Sequence, residues 1–325
     1  MTRQTTPRFR VLLTDYAWAE LDVERSVLSE IGAELVVADE QDEAALIELA
    51  RDVDAIMTCW ANTTSRVIRA AANCQIVSRL GIGLDNIDVE FCTERGIPVT
   101  NVPDYCATEV AEHTLALIFA LARNIAIFHT ATKRGNYDLQ EAPTPRRIEG
   151  QTLGIVGLGN IGRTVAEKAS AIGMRVLACR RSKSERAANA TIVAFDELLR
   201  ESDFVSLHLP LTSETHGLVD SEALDAMRST SFLINTARGG LVDHVALAEA
   251  LDGNQIAGAG LDVQQPEPPD LSLPPFNDPR VIVTPHAAFV SVESVEELRR
   301  RAARQVVARL TGTIPENVVN PIVLS

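Results

Sequence analysis

A few stretches of this 325-residue chain set reactive side chains against backbone that could use them. The first is GLGNIG, Gly157 to Gly162, led into by the apolar run GIV and out by NIGRTVAEKASAIG. In a strand–turn–helix of this kind the first glycine permits the tight turn. The second, Gly159, lets backbone approach a pyrophosphate, and the third lets helix and strand pack closely. The helix N-terminus then faces the phosphates. Taken alone, the hexapeptide could equally be a glycine turn in a plain βαβ unit. An acid usually stands about 20 residues further on and holds the adenosine ribose 2′-hydroxyl. Here the following apolar run, MRVLACRRS, ends in Arg180 and Arg181. Arginine cannot accept a hydroxyl proton, but its fork matches a phosphate. The pair therefore points to a 2′-phosphate, hence NADP(H). The other reading is a solvated strand end with NAD as cofactor.

INTARGG (234–240), LDVQQPEPPD (261–270) and VTPHAAF (283–289) also place polar groups at the ends of apolar runs. Arg238 precedes Gly-Gly, Glu267 sits in a proline-stiffened loop, and His286 follows a proline. An imidazole can carry a proton near neutral pH. Arginine suits a planar anion, and a carboxylate beside a histidine favours the imidazolium and fixes its orientation. Singly, each has a plainer reading: a structural histidine, a surface ion pair, a solvated loop acid.

The elements that must position these residues alternate. FRVLLTD (9–15), AELVVAD (33–39), DAIMTC (54–59), QIVSRLG (75–81) and IPVTNVP (97–103) read as strands, separated by helix-like segments such as DEAALIELARD (42–52). A second series runs through 152–159, 174–180, 203–210, 231–237, 256–263 and 281–288. Such βα alternation implies parallel sheets covered on both faces. Between the two series lies a long apolar helix over 107–125, with Thr108 as N-cap and Glu109 and Glu112 in its first turn. A polar arm over 135–150 follows it. The amphipathic helix over 294–310 is followed by about one strand-length of chain, so it is expected to return to the first domain and make that domain discontinuous.

The formal net charge is −14. An acidic surface argues against nucleic-acid and anionic-membrane partners. No apolar segment approaches the ~20 residues that span a bilayer, and MTRQTTPRFR has no apolar core behind it, so a cytoplasmic location is expected. The five cysteines include no CxxC and read as buried thiols. No His/Cys cluster has ligand spacing, so no metal site is expected.

In order along the chain stand RLGIGLDNIDV (79–89), NVPDYCATEVAEHTLAL (101–117), GLGNIG, HLPLTSETHGLV (208–219), NTARGGLVD (235–243), LDVQQPEP (261–268) and TPHAA (284–288). Together they resemble the D-isomer-specific 2-hydroxyacid dehydrogenase family over nearly the whole chain. The resemblance implies an α/β fold of two doubly wound parallel-sheet domains with an active-site cleft between them. A flavodoxin-like substrate domain would take residues 1–103 and 291–325, and a Rossmann dinucleotide-binding domain 104–290. It also implies a homodimer assembled through the long helix.

By motif, Arg238 would bind the carbonyl and carboxylate oxygens of a small anionic 2-oxo or 2-hydroxy acid. His286 would be the general acid–base, and Glu267 its hydrogen-bond partner. Gly157, Gly159, Asn160, Ile161, Gly162, Arg180 and Arg181 would hold the cofactor, with His208, Pro210, Thr215, Thr236, Ala237, His286 and Asp262. Asp262 would lie near the nicotinamide carboxamide; a structural role at a strand end is nearly as good a reading. Backbone amides around Gly81, Ile82 and Gly83 could hold the substrate carboxylate, with Arg79 adding charge; the plainer reading is a glycine turn closing the first domain. Phe289 would line the substrate pocket with Cys59, Trp60 and Tyr105. His113, His129, His216 and His244 fall in no catalytic motif and read as structural.

TPHAAFVSVES and NVPDYCATEVAEHT most resemble the branch that holds the C-terminal-binding-protein corepressors and their bacterial relatives. That branch usually has tryptophan at the position of Phe289. The implied activity is interconversion of a 2-oxo acid and a D-2-hydroxy acid, with NADPH-driven reduction favoured and NAD as the other cofactor. Two alternatives accompany it: a cofactor-sensing, corepressor-like binding protein, and a dehydrogenase of a non-carbon acid such as phosphite.

Overall fold

The structure is a computed structural model that describes residues 7–180 and 189–324. The chain divides into two compact units, one running up to Tyr105 and again from Ser291, the other Cys106–Val290.

The first unit holds a sheet of five parallel strands: β1 (Phe9–Leu13), β2 (Ala33–Val37), β3 (Ala55–Thr58), β4 (Val77–Arg79) and β5 (Val99–Thr100). Their order is β2-β1-β3-β4-β5, which puts the topological switch point between β1 and β3. Leu12, Ile56, Val77 and Val99 pack with Leu46, Ile68 and Cys92 from the crossover helices into one core. The helix Val292–Leu310 closes this unit, started by a capping box between Ser291 and Ser294. Its Arg299 is 8% exposed and donates Nε to Glu24 Oε1 at 2.9 Å and Nη2 to Oε2 at 2.7 Å; Glu24 is fully buried. The guanidinium also bonds Asp22 and the Glu20 carbonyl and lies 5.3 Å from the centre of the Trp18 ring.

The second unit holds seven parallel strands: β6 (Thr152–Val156), β7 (Arg175–Cys179), β8 (Thr191–Ile192), β9 (Phe204–Leu207), β10 (Phe232–Asn235), β11 (Gly258–Leu261) and β12 (Val281–Val283). The order β12-β11-β10-β9-β6-β7-β8 reverses at β6/β9, the dinucleotide-binding arrangement with one strand added. Alternate residues feed opposite faces: Leu153, Ile155 and Ile234 pack on the Ala107–Ala122 side, and Val156, Val205 and Leu233 on the other.

Three readings change. β8 has no counterpart among the expected strands, because two edge residues carry no periodicity. The long helix begins at Ala107 with Cys106 as the flanking residue, so Thr108 lies inside the first turn and caps nothing. It also ends at Ala122, because Asn124 takes a left-handed conformation (φ 52°) with its Nδ2 bonded to the Pro143 carbonyl. Asparagine tolerates that region better than most residues. A second helix, Ile125–Lys133, then departs at 63°. Among the described residues no single helix is long and apolar enough to cross a membrane.

None of the five cysteines is in a disulfide, and all but Cys179 are buried. Burial pushes Cys59, Cys74 and Cys92 up to about 12 and Cys179 to about 11, so these four are thiols, not thiolates, at neutral pH.

Candidate active site

The second unit's candidate residues lie at the carboxyl ends of its strands, where a doubly wound sheet places its ligands. The turn after β6 has Gly157 at φ +96°, and a Cβ there would sit 2.3 Å from the His208 carbonyl oxygen. A Cβ on Gly162 would sit 2.2 Å from the Gly157 oxygen, so the helix Asn160–Ala171 packs directly on the turn. Gly159 is different: a Cβ there would meet nothing within 4 Å. Two glycines close the turn, and the third leaves open space in front of a 12-residue helix that has no side-chain N-cap. That is a cradle suited to a pyrophosphate, and the residues present fit a dinucleotide. Asn160 and Ile161 form the helix's first turn.

Arg180 follows β7 directly. Its Nε and Nη2 are buried and have no hydrogen-bond partner among the described residues. Arg181 lies outside the described residues. After β9, His208 accepts or donates to Ser206 Oγ at 2.8 Å, and burial pushes its imidazole down to about 4, so it is neutral. Thr215 braces the same loop by donating to the Pro210 carbonyl at 2.7 Å.

After β10, Asn235 shapes the turn that carries Arg238. It is fully buried, accepts from the Ala237 amide at 3.0 Å and donates to the Arg238 carbonyl at 2.9 Å. Arg238 Nη1 donates to the Ala237 carbonyl at 2.7 Å. Thr236 is held at 3.1 Å by Thr114 of the helix Ala107–Ala122. Thr114 donates its own proton to the Val110 carbonyl, so Thr236 is the donor.

His286 Nδ1 meets Glu267 Oε2 at 2.9 Å, while Glu267 Oε1 accepts the Gln264 amide at 2.9 Å. Burial would raise the Glu267 carboxyl. The His286 hydrogen bond and charge, the Gln264 amide and the Arg238 charge outweigh it and hold the group below the usual carboxylate range. The carboxylate engages Nδ1 and so fixes the orientation of the ring. The Phe289 ring stands edge-on to His286, centroids 6.2 Å apart.

His286 has φ +53°, an uncommon conformation for a non-glycine residue. Asp262 maintains it. Its main-chain oxygen accepts the His286 amide at 2.7 Å, and its carboxylate accepts the Ala287 and Ala288 amides at 2.9 Å each. Asp262 is fully buried and its carboxylate faces the 284–288 loop. Asn235, Gln264 and Thr284 were not singled out from sequence; the signal was a polar residue ending an apolar run.

In the first unit, the carbonyls of the loop after β4 are all held from behind. Leu80 and Gly83 accept from Arg79, Gly81 from the Val102 amide and Ile82 from Asn101 Nδ2. Arg79 is buried, with its guanidinium against Gly81, whose φ is +154° and whose Cβ would lie 2.7 Å from Nη1. Among the described residues no hydrogen bond is donated by the Gly81, Ile82 or Gly83 amides.

A parallel sheet with this strand order and a glycine cradle at its first turn are those of a dinucleotide-binding domain, here with a carboxylate-backed histidine at a neighbouring strand end. The family model "D-isomer specific 2-hydroxyacid dehydrogenase, NAD binding domain" matches residues 115–288. A glyoxylate reductase of Korarchaeum cryptofilum is 39% identical over 284 residues, 85% of each chain. The D-lactate dehydrogenase of Aquifex aeolicus, solved with NAD and lactic acid, aligns with TM-score 0.85 at 28% identity over 96% of this chain and 99% of that one. An acyclic imino acid reductase (Bsp5), solved with NADPH and D-Arg, aligns with TM-score 0.86 at 28% identity over 95% and 99%. The chain belongs to the D-isomer specific 2-hydroxyacid dehydrogenase family. It is an NAD(P)-dependent oxidoreductase of 2-oxo and D-2-hydroxy acids.

Proposed function

We propose that the protein works as a reductase of a small 2-oxo acid and prefers NADPH. The observation that carries the preference is Arg180: buried guanidinium N–H groups without a partner are costly, and a 2′-phosphate would satisfy them. With its pyrophosphate held by the glycine cradle, the cofactor would supply the hydride to C2 of the acid. Arg238 receives the planar oxo-acid anion, and His286 Nε2 gives its proton to the C2 oxygen. Glu267 keeps the imidazole oriented. Within the first unit, the Gly81–Gly83 amides, whose carbonyls are pinned behind them, are suited to hold an anion, and Arg79 lends that loop positive potential. Assembly as a cytoplasmic homodimer belongs to the same reading, supported by apolar exposure at Phe119, Ile125, Tyr137 and Leu139.

Initial rates with NADPH and NADH against glyoxylate, hydroxypyruvate and phenylpyruvate-like acids test this reading. A higher kcat/KM with NADH would overturn the cofactor preference, and cofactor binding without turnover on any acid would overturn the reaction. Arg180→Ser is expected to lower kcat/KM for NADPH by about ten- to a hundredfold, the loss of about 1.5–3 kcal/mol from charge-assisted hydrogen bonds. Its rates with NADH should stay close to wild type.

Glu267→Gln tests the acid–base pair through rate and stability. The carboxylate holds the imidazole by a 2.9 Å hydrogen bond to Nδ1. In the glutamine variant kcat is expected to fall about ten- to a hundredfold, because a misplaced proton donor loses rate. Stability from the pair is present above the ordinary carboxylate range and is lost as pH falls through the lowered Glu267 value. An unchanged kcat would remove Glu267 from the mechanism.

A further inference from the structure

We propose that His113, on the helix Ala107–Ala122, is a positioning residue that sets the conformation of the His286 loop through the Thr284 hydroxyl and Asp262. The inference rests on the acid–base reading of His286 given above. His113 Nε2 lies 3.0 Å from Thr284 Oγ1, and Thr284 Oγ1 lies 2.5 Å from Asp262 Oδ1. A carboxylate only accepts, so the hydroxyl's single hydrogen points to Asp262. Thr284 then has only lone pairs left for His113, and Nε2 must be the protonated ring nitrogen. The direction of the chain is therefore fixed: His113 donates to Thr284, and Thr284 donates to Asp262.

Asp262 is the carboxylate whose two oxygens take the Ala287 and Ala288 amides, the residues directly after His286. His113 Nε2 is also 3.5 Å from Asp262 Oδ1. A fully buried carboxylate needs its donors, and losing one leaves it free to seek others. His286, at φ +53°, holds an uncommon conformation that persists only where the surroundings over-determine it. His113 supplies that determination from a rigid helix. Its neighbour Thr114 receives the Thr236 hydroxyl, so one helix turn braces the loops after both β10 and β12. His113 does not touch the reacting groups in this scheme and acts only through Asp262.

The test compares wild type, His113→Ala, His113→Gln, Thr284→Val and the His113→Ala/Thr284→Val double variant. Readouts are kcat, KM and amide hydrogen exchange over residues 284–290. We expect His113→Ala to lower kcat about tenfold with KM within about twofold, because a displaced catalytic group loses rate before binding. The glutamine, whose amide can donate from a similar reach, should restore most of the loss. The double variant should be no worse than Thr284→Val alone, since both remove one chain of contacts. Exchange at Ala287 and Ala288 should quicken in His113→Ala while β6 and β7 remain protected.

A wild-type kcat in His113→Ala, a loss that glutamine shares in full, or multiplicative losses in the double variant would each overturn the proposal. Should the wild type turn over no 2-oxo acid, the proposed reaction fails. The bracing then stands on exchange alone, and unchanged exchange at 284–290 refutes it.

Discussion

Replacing His286 with asparagine is expected to lower kcat for 2-oxo acid reduction by about two to four orders of magnitude, the range general acid catalysis contributes. Cofactor affinity should be nearly unchanged. Asparagine keeps a polar group of similar size at the φ +53° position and belongs to the residue types that accept this conformation, so the loop should survive. What is lost is the proton donor at Nε2 of a ring that Glu267 orients at 2.9 Å from Nδ1. Adding Glu267→Gln to this variant should cost little more, because a partner without a histidine to orient does no further chemistry. Steady-state rates and cofactor titration by fluorescence decide the matter. A variant with tight cofactor binding and a kcat within tenfold of wild type would remove His286 from the acid–base role.

Glu24→Ala is expected to lower stability by about 3–5 kcal/mol, the loss typical when one partner of a buried ion pair is removed. Arg299 would keep its charge at 8% exposure with only the exposed Asp22 and the Glu20 carbonyl to satisfy it. Replacing both Glu24 and Arg299 by apolar residues should be far milder, since no uncompensated charge is then left inside. Denaturant unfolding followed by tryptophan fluorescence reports this directly, because Trp18 lies against the Arg299 guanidinium. A Glu24→Ala midpoint equal to wild type would show that the pair adds nothing to the first unit.

Buried parallel strands made much of the fold legible. Runs such as GIVG and the FLI of SFLINTA are apolar throughout because both faces of the sheet are covered. The glycine turn was legible because Gly157 and Gly162 leave no room for a Cβ. The pairing of Glu267 with His286 came through motif resemblance, since 19 residues and two strand ends separate them. The orientation of Asp262 was not legible. Sequence left a cofactor contact and a strand-end role side by side, and only the amides of Ala287 and Ala288 show where the carboxylate points. The break at Asn124 escaped because no glycine or proline marks it. β8 escaped because two residues hold no pattern. Arg79 was expected to add charge to its loop; the turn of its guanidinium onto the Leu80 and Gly83 carbonyls, which depends on the positive φ of Gly81, was not legible.

The pairing of Glu24 with Arg299 also has a consequence for how the protein is made. The two residues are 275 positions apart. At translation rates of about 5–20 residues per second, Glu24 waits roughly 15–55 s for its partner to emerge from the ribosome. Every residue of the second unit, Cys106–Val290, is synthesised in that interval. The inserted unit can therefore complete its own core on the nascent chain while the earlier-made sheet still holds a buried-to-be carboxylate without its cation. The first stretch to be synthesised, up to Tyr105, therefore belongs to the unit that is completed last.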